Sequence, residues 1–244
     1  MFETRPIETE RPLIGDTAPA FDAETTNGPI HFPKDYTGKW VILFSHPADF
    51  TPVCTTELIA FSRLVEKCHR LNTEIIGLSV DSLSSHIAWL YAIQEQVRFR
   101  GLTNVKITFP LIADLSQTIA KRYGMIHPKV NQNKTVRAVF FIDPNGIVRT
   151  ILYYPVSTGR NFQEIMRILV SLQVTDKYDV ATPADWEPRD DVVSKAPVTL
   201  DEALQNGEKN APMTGNWFLN FKKLSLKQIE SLTGEAKIKP SRRK

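Results

Sequence analysis

Trp40-Val41-Ile42-Leu43-Phe44-Ser45-His46-Pro47-Ala48-Asp49-Phe50-Thr51-Pro52-Val53-Cys54-Thr55-Thr56-Glu57 is the stretch around which this 244-residue chain is organised. Trp40–Ser45 opens with an unbroken apolar run of strand length, as expected of a strand buried on both faces. A turn with Pro47 and Pro52 comes next. Apolar residues then recur at helical spacing at Leu58, Phe61, Leu64, Val65, Cys68 and Leu71, which predicts one helix over Pro52–Arg70. Thr51 suits the N-cap and Pro52 the first helical position, where a missing N–H costs nothing. Cys54 then falls third in the helix, among unpaired backbone N–H groups and at the positive end of the helix dipole. A thiol in that place is expected to titrate below its free value of ~8.5. A lone cysteine is also a common packing residue. Strand, turn and cap by themselves leave both roles open.

The pattern Pro47-x-x-x-Thr51-x-x-Cys54, continued by Thr55-Thr56-Glu57, resembles the signature of the peroxiredoxins, thiol peroxidases of the thioredoxin superfamily. The wider phrase His46–Glu57 is most similar to the one-cysteine and archaeal-type subclass. The resemblance implies a peroxidatic Cys54 that reduces hydrogen peroxide and organic hydroperoxides without metal or organic cofactor. It also implies a cysteine sulfenic acid intermediate, a role in antioxidant defence, and homodimers assembling into a decameric ring.

Length and composition are those of a soluble globular protein with one full α/β domain and an appendage. No run approaches ~18 apolar residues, so no transmembrane helix is expected. The N-terminus lacks an apolar signal core, and two cysteines make no disulfide framework, so a cytoplasmic protein is expected. The formal charge of +3 is uneven: Phe221–Lys244 carries eight Lys/Arg against Glu230 and Glu235, a net of +6, which leaves residues 1–220 at −3. A basic tail can meet nucleic acid or anionic membrane. With no aromatic residue after Phe221 it reads instead as a solvated terminus, and neither partner is expected.

Along the chain, Phe21–Phe32, broken by Asn27-Gly28-Pro29, predicts a short hairpin. Glu74–Val80 is a second buried strand, and Ser84–Gln96 a helix with Ile87, Leu90, Tyr91 and the neighbouring Trp89 on or near its apolar face. Phe109–Ala113 is a strand, and Gln117–Tyr123 a helix stopped by Gly124. Val136–Ile142 and Ile147–Tyr154 form a hairpin about the turn Asp143-Pro144-Asn145-Gly146. Asn161 to about Gln173 is a further amphipathic helix. The order β-α-β-α, hairpin, helix predicts a thioredoxin-like α/β fold, a central mixed sheet flanked by helices. Residues 1–174 are expected to form the peroxidase domain with its N-terminal arm. Residues 175–244 are expected to form a smaller C-terminal extension that buries Trp186, Val192, Trp217, Phe218 and Phe221 against the main domain or a partner subunit.

Peroxide reduction needs a thiolate to attack one oxygen while charge on the departing oxygen is stabilised. Thr51 is placed to offer a hydroxyl, and Pro47 to shield the pocket from water. A guanidinium is the natural partner of a thiolate, but spacing cannot choose among the arginines. The resemblance of Thr135–Asp143 to the family strand that carries the active-site arginine implies Arg137. Tyr153–Asn161 implies Arg160 as the second. Glu57, one turn beyond Cys54, can orient an arginine through a charge-assisted pair, and the resemblance implies that His46 contacts peroxide or sulfenate. Cys68 lies on the apolar stripe, and an intact helix would separate it from Cys54 by roughly 21 Å, against the ~7 Å limit of a disulfide. No cysteine follows it, so an external thiol such as thioredoxin or glutathione is expected to reduce the sulfenic acid.

Two other functions compete with this reading. A thioredoxin-type disulfide oxidoreductase shares the fold but needs Cys-x-x-Cys, whereas Cys54 is followed by Thr55-Thr56-Glu57. A ring-forming holdase chaperone follows from the family's assemblies rather than from any motif. The lipase-like Gly-x-Ser-x-Gly of some one-cysteine relatives is replaced here by Gly15-Asp16-Thr17-Ala18-Pro19, so phospholipase activity is not expected.

Overall fold

The computed structural model describes residues 11–210, 216–225 and 228, in two compact units, Met1–Arg160 and Asn161–Lys244. The basic tail beyond 228 lies outside the described residues.

The first unit is built on a five-stranded sheet. In chain order its elements are β1 (Phe21–Ala23), β2 (Ile30–Phe32), β3 (Trp40–Ser45), α1 (Pro52–Ser62), α2 (Val65–Arg70), β4 (Thr73–Ser79), α3 (Leu83–Gln96), β5 (Leu111–Ala113), α4 (Thr118–Arg122), β6 (Arg137–Ile142) and β7 (Val148–Tyr154). The strand order is β5-β4-β3-β6-β7. β3 runs parallel to β4 and β4 to β5, while β6 pairs antiparallel with β3 and with β7. This is the mixed sheet with flanking helices of a thioredoxin-like fold.

Every residue of β3 and of β6 is buried, as their uninterrupted apolar runs require. Alternation along the strands sends Val41, Leu43, Ala138 and Phe140 to one face, where they join Phe21, Phe32, Ile119 and Tyr123 in a single core. Ile42 and Phe44 point to the other face, where the Phe44 ring stacks on Phe61 of α1 at 4.0 Å. Gly77 of β4 lies beside Phe44 in register. A Cβ there would stand 2.4 Å from Leu111 Cδ2 and 2.8 Å from Phe44 Cζ, so close ring packing requires glycine at this position. The predicted stop at Gly124 holds: with φ at +65°, its N–H bonds Lys121 O at 3.0 Å and Met125 N–H bonds Ala120 O at 2.7 Å, closing α4 in a Schellman motif.

Two expectations need correcting. The helix expected over Pro52–Arg70 is two helices, α1 and α2, parted at Arg63–Leu64. No glycine or proline marks the break. Ser62 Oγ donates to Ile59 O at 2.8 Å, and the Leu64 N–H turns to Phe61 O at 2.8 Å, tightening the chain out of its α ladder. The distance argument for Cys54 and Cys68 therefore cannot rest on one straight helix, although both cysteines are buried and neither is in a disulfide. On α3, Ile87 and Tyr91 are exposed, and the buried stripe is His86, Trp89 and Ile93. A histidine supplies the position that an apolar count leaves out.

The second unit begins with α5 (Phe162–Tyr178), longer than expected and capped by Asn161, whose Oδ1 accepts from the Gln163 and Glu164 N–H groups. β8 (Val180–Ala181), β9 (Val192–Ser194) and β10 (Phe221–Lys222) form a small antiparallel sheet, with α6 (Leu200–Asn210) between β9 and β10. Trp186 and Val192 are buried, whereas Trp217, Phe218 and Phe221 are exposed on this chain.

Candidate active site

β3 ends at Ser45 in a polar clasp that anchors the turn leading into α1. Ser45 Oγ donates to Val136 O at 2.7 Å and accepts from Ala138 N at 3.1 Å, and Thr135 Oγ1 donates to His46 O at 2.7 Å. These bonds tie the end of β3 to the start of β6, which is where Arg137 stands. The chain then turns through Phe50, held in the left-handed region at φ 54° with its ring exposed. That conformation costs a bulky residue roughly 1–2 kcal/mol. Pro52 opens α1 and Cys54 is its third residue, as its sequence position predicts. Thr51 holds the N-cap place with extended backbone, but its side chain does not cap. Its hydroxyl donates to Ala48 O at 2.9 Å instead. The Val53 and Cys54 N–H groups thus keep the free valence of a helix's first turn, with no side-chain cap competing for it.

Cys54 is buried, and Arg137 Nη1 lies 3.3 Å from its sulfur. The same Nη1 donates to Glu57 Oε2 at 2.7 Å, while Nε and Nη2 grip Val156 O at 3.0 and 2.7 Å. Glu57, one turn along α1, is also seized by Arg160: through the backbone N–H at 2.8 Å, Nε at 3.0 Å and Nη2 at 2.6 Å. Arg160 Nη1 satisfies two carbonyls, Ser45 O and Ala138 O, at 3.0 Å each, and its guanidinium lies over the rings of Phe44 and Phe61. Burial alone would raise the Glu57 carboxyl, but the Arg160 charge and hydrogen bonds, with Arg137 beyond them, hold it below the usual carboxylate range. Burial lowers the Arg160 guanidinium, and the Glu57 and Cys54 charges oppose that shift. Two buried guanidiniums thus face one buried carboxylate and one sulfur.

The structure therefore gathers Cys54, Glu57, Arg137 and Arg160 into one hydrogen-bonded group. Thr51 and Pro47 lie in the turn just before it, and Pro47 is buried. His46 is buried and its ring faces Trp89 at 5.2 Å, whose Nε1 donates to Thr55 Oγ1 at 3.2 Å, next to Cys54. Cys68 is enclosed elsewhere, its thiol pushed up to about 12 by burial.

Sequence reasoning misses two residues of this neighbourhood. Asp49 Oδ1 meets His46 Nε2 at 2.9 Å, and its Oδ2 meets His86 Nδ1 at 2.8 Å. Asp49 belongs to the turn before α1, but no spacing rule links it to a histidine 37 residues on. The buried stripe His86-Trp89-Ile93 is the available sign. The three side chains are of metal-ligand type, with donor atoms within 4.8 Å of one another. Their direct contacts are hydrogen bonds that an ion would have to break.

The chain matches the AhpC/TSA family over residues 14–151 and the C-terminal domain of 1-Cys peroxiredoxin over residues 171–210. It is 53% identical over 214 residues to a peroxiredoxin of Methanosarcina mazei, covering 87% of this chain and 98% of that one. To a peroxiredoxin of Aquifex aeolicus it is 46% identical over 226 residues, covering 87% and 97%. Among solved structures, the yeast mitochondrial 1-Cys peroxiredoxin, studied for thiol resolution via glutathione/thioredoxin systems, aligns with a TM-score of 0.72 at 37% identity, covering 87% of this chain and 99% of that one. A C45S mutant of peroxiredoxin 6 from Arenicola marina aligns at 0.73 and 32%, covering 88% and 99%. The chain belongs to the peroxiredoxins, and is a thiol-dependent peroxidase.

Proposed function

We propose, with peroxiredoxin membership as the premise, that Cys54 is the peroxidatic residue and that Arg137, Thr51, Pro47, Glu57, Arg160 and His46 form its site. The contact of Arg137 with the Cys54 sulfur, in the first turn of α1, carries this reading. The Cys54 thiolate attacks the terminal hydroxyl oxygen of the peroxide. An S–O bond forms as the O–O bond breaks, and the departing oxygen takes the electron pair and a proton to leave as water or alcohol. Arg137 and the uncapped N–H groups of Val53 and Cys54 meet the charge that moves onto oxygen. Glu57 and Arg160 hold Arg137 in place, and Pro47 closes the pocket toward water. For Thr51 to donate to peroxide its hydroxyl must leave Ala48 O.

A thiol from outside the chain then attacks the sulfenic sulfur, releasing water and leaving a mixed disulfide that a second thiol reduces. Glutathione and thioredoxin are the reductants we put forward, by analogy with the yeast relative. We further place the protein in the cytoplasm as a homodimer assembling into a decameric ring. Neither cysteine is in a disulfide, as in a reducing compartment, and no helix among the described residues is long and apolar enough to cross a membrane. Exposed Phe50, with Ile87 and Tyr91 one turn apart on α3, offers apolar surface to a neighbouring subunit. Exposed Trp217, Phe218 and Phe221 do the same in the extension, which we assign to residues 175–244 beside a peroxidase domain at 1–174.

Peptide mass spectrometry after stepwise peroxide addition tests the reading. Sulfenic and then sulfinic acid confined to Cys54 is expected. A Cys54 that stays a free thiol under excess peroxide overturns it, and a disulfide through Cys68 overturns the external-thiol step alone.

A further inference from the structure

His46, Asp49 and His86 form a buried chain, with side chains 0%, 2% and 0% exposed, and Trp89 links the His46 ring to Thr55, next to Cys54. Its hydrogens can be counted. His86 Nε2 lies 3.1 Å from Ile112 O, and since a carbonyl only accepts, Nε2 carries a hydrogen. The 2.8 Å contact between His86 Nδ1 and Asp49 Oδ2 takes a second proton, and the 2.9 Å contact between His46 Nε2 and Asp49 Oδ1 a third. His46 Nδ1 is left as a buried nitrogen with no partner. A buried polar atom without a partner is costly and calls for an explanation. The arrangement is also firmly built. The Asp49 N–H donates to Asp81 Oδ2 at 3.0 Å, and Asp81 is held in turn by Ser79 Oγ at 2.8 Å.

We propose that Asp49 and His86 are positioning residues for the peroxidase reaction: they fix His46 as the Nε2–H tautomer, leaving Nδ1 as acceptor for the hydrogen on the oxygen that Cys54 attacks. This rests on the reading of His46 as part of the peroxide pocket. The attacked oxygen stays on sulfur, so its hydrogen passes unchanged from peroxide to the sulfenic S–O–H. One acceptor therefore serves both species, and no proton need move through the histidine. Burial, chiefly, pushes the His46 imidazole down, against the pull of Asp49, which keeps Nδ1 free of a proton. Burial alone would raise the Asp49 carboxyl, but hydrogen bonds from both histidines hold it well below the usual carboxylate range. A carboxylate that selects a histidine tautomer is a recurring device in acid–base and metal sites.

Long-range ¹H–¹⁵N NMR of the reduced full-length protein reads the tautomer directly. Stopped-flow tryptophan fluorescence reads the rate of Cys54 oxidation by hydrogen peroxide. The wild type should show His46 protonated at Nε2 only, and a His46 protonated at Nδ1 overturns the proposal with no variant needed. Asp49→Ala should mix the tautomers and slow oxidation by about 10- to 100-fold per folded molecule. Asp49→Asn can still accept from His46 and donate to a singly protonated His86, so it should restore the tautomer and most of the rate. A merely structural Asp49 predicts lost stability with an unchanged tautomer and rate, and that outcome defeats the proposal. His46→Asn separates the two readings. If it reacts at the wild-type rate, the assignment of His46 to the pocket fails. If it is slowed while Asp49→Ala is not, only the positioning role fails.

Discussion

Arg137 reaches Cys54 with the same nitrogen that it gives to Glu57: Nη1 stands 3.3 Å from the sulfur and 2.7 Å from Oε2. The other two nitrogens are occupied by Val156 O. The guanidinium is therefore held on three sides before any substrate arrives, and its position relative to the sulfur is set by its neighbours rather than by the sulfur.

A lysine cannot reproduce this. Arg137→Lys keeps the charge but replaces a planar fork by one ammonium that cannot face Cys54, Glu57 and Val156 together. The second-order rate of Cys54 oxidation should fall by about 10²- to 10³-fold, the usual cost of removing one preorganised donor. Stopped-flow measurement on the folded variant checks this, and a rate within about threefold of wild type would sink it.

Glu57→Gln leaves two buried guanidiniums without their anion. Breaking a buried pair from one side costs about 3–5 kcal/mol, so the midpoint of chemical denaturation should drop markedly at neutral pH. The pH dependence has a definite sign. The Glu57 carboxyl is lowered in the folded protein. Its contribution is therefore complete above its unfolded value of about 4.3 and lost as pH falls through the folded value. Wild type should lose stability in that acid range more steeply than Glu57→Gln. Parallel slopes would refute the assignment.

Cys68 should behave as an inert thiol. With its pKa pushed to about 12 by burial, the thiolate fraction at pH 8 is on the order of 10⁻⁴. Iodoacetamide on the native protein should label Cys54 and spare Cys68, and after denaturation both should react. Comparable native labelling of the two would show the second thiol to be accessible.

Gly77→Ala tests the packing under the site. The added methyl meets Leu111 and the Phe44 ring at 2.4 and 2.8 Å, and overpacking of this kind costs about 1–3 kcal/mol. Because Arg160 lies over Phe44, the variant should show a lower Tm and a slower Cys54 together. A Tm unchanged from wild type would mean that the ring moves aside freely.

Much of this is legible in the chain because it rests on local rules. Trp40–Ser45 has the apolar run of a central strand, Pro52 marks the first turn of α1, and Gly124 closes α4. The break at Arg63–Leu64 is hidden, since neither glycine nor proline marks it and the apolar spacing runs through it. The face of α3 is misjudged from sequence because His86 is buried by a partner far away in the chain, and a polar letter gives no hint of that. Within the site, helical spacing puts Cys54 in the first turn of α1 and Glu57 one turn beyond it, and the family resemblance singles out Cys54 as the reactive thiol. Arg137 is brought in by β6 and Arg160 by the loop that follows β7, and only the family resemblance points to them. Asp49 lies inside the phrase His46–Glu57, but nothing there pairs it with His86, whose one sign is its place on a stripe with Trp89 and Ile93.

The pairing of two guanidiniums with Glu57 and Cys54 also bears on how the protein is to be studied. Cys54→Ser is the obvious inactive stand-in, but a hydroxyl does not supply the negative charge that a cysteine thiolate brings to the pocket. With Arg137 and Arg160 facing Glu57 alone, the serine protein would enclose an unmatched positive charge. It would resemble the attacking thiolate form in shape and differ from it in electrostatics, and a small anion drawn into it would report on that imbalance rather than on substrate recognition.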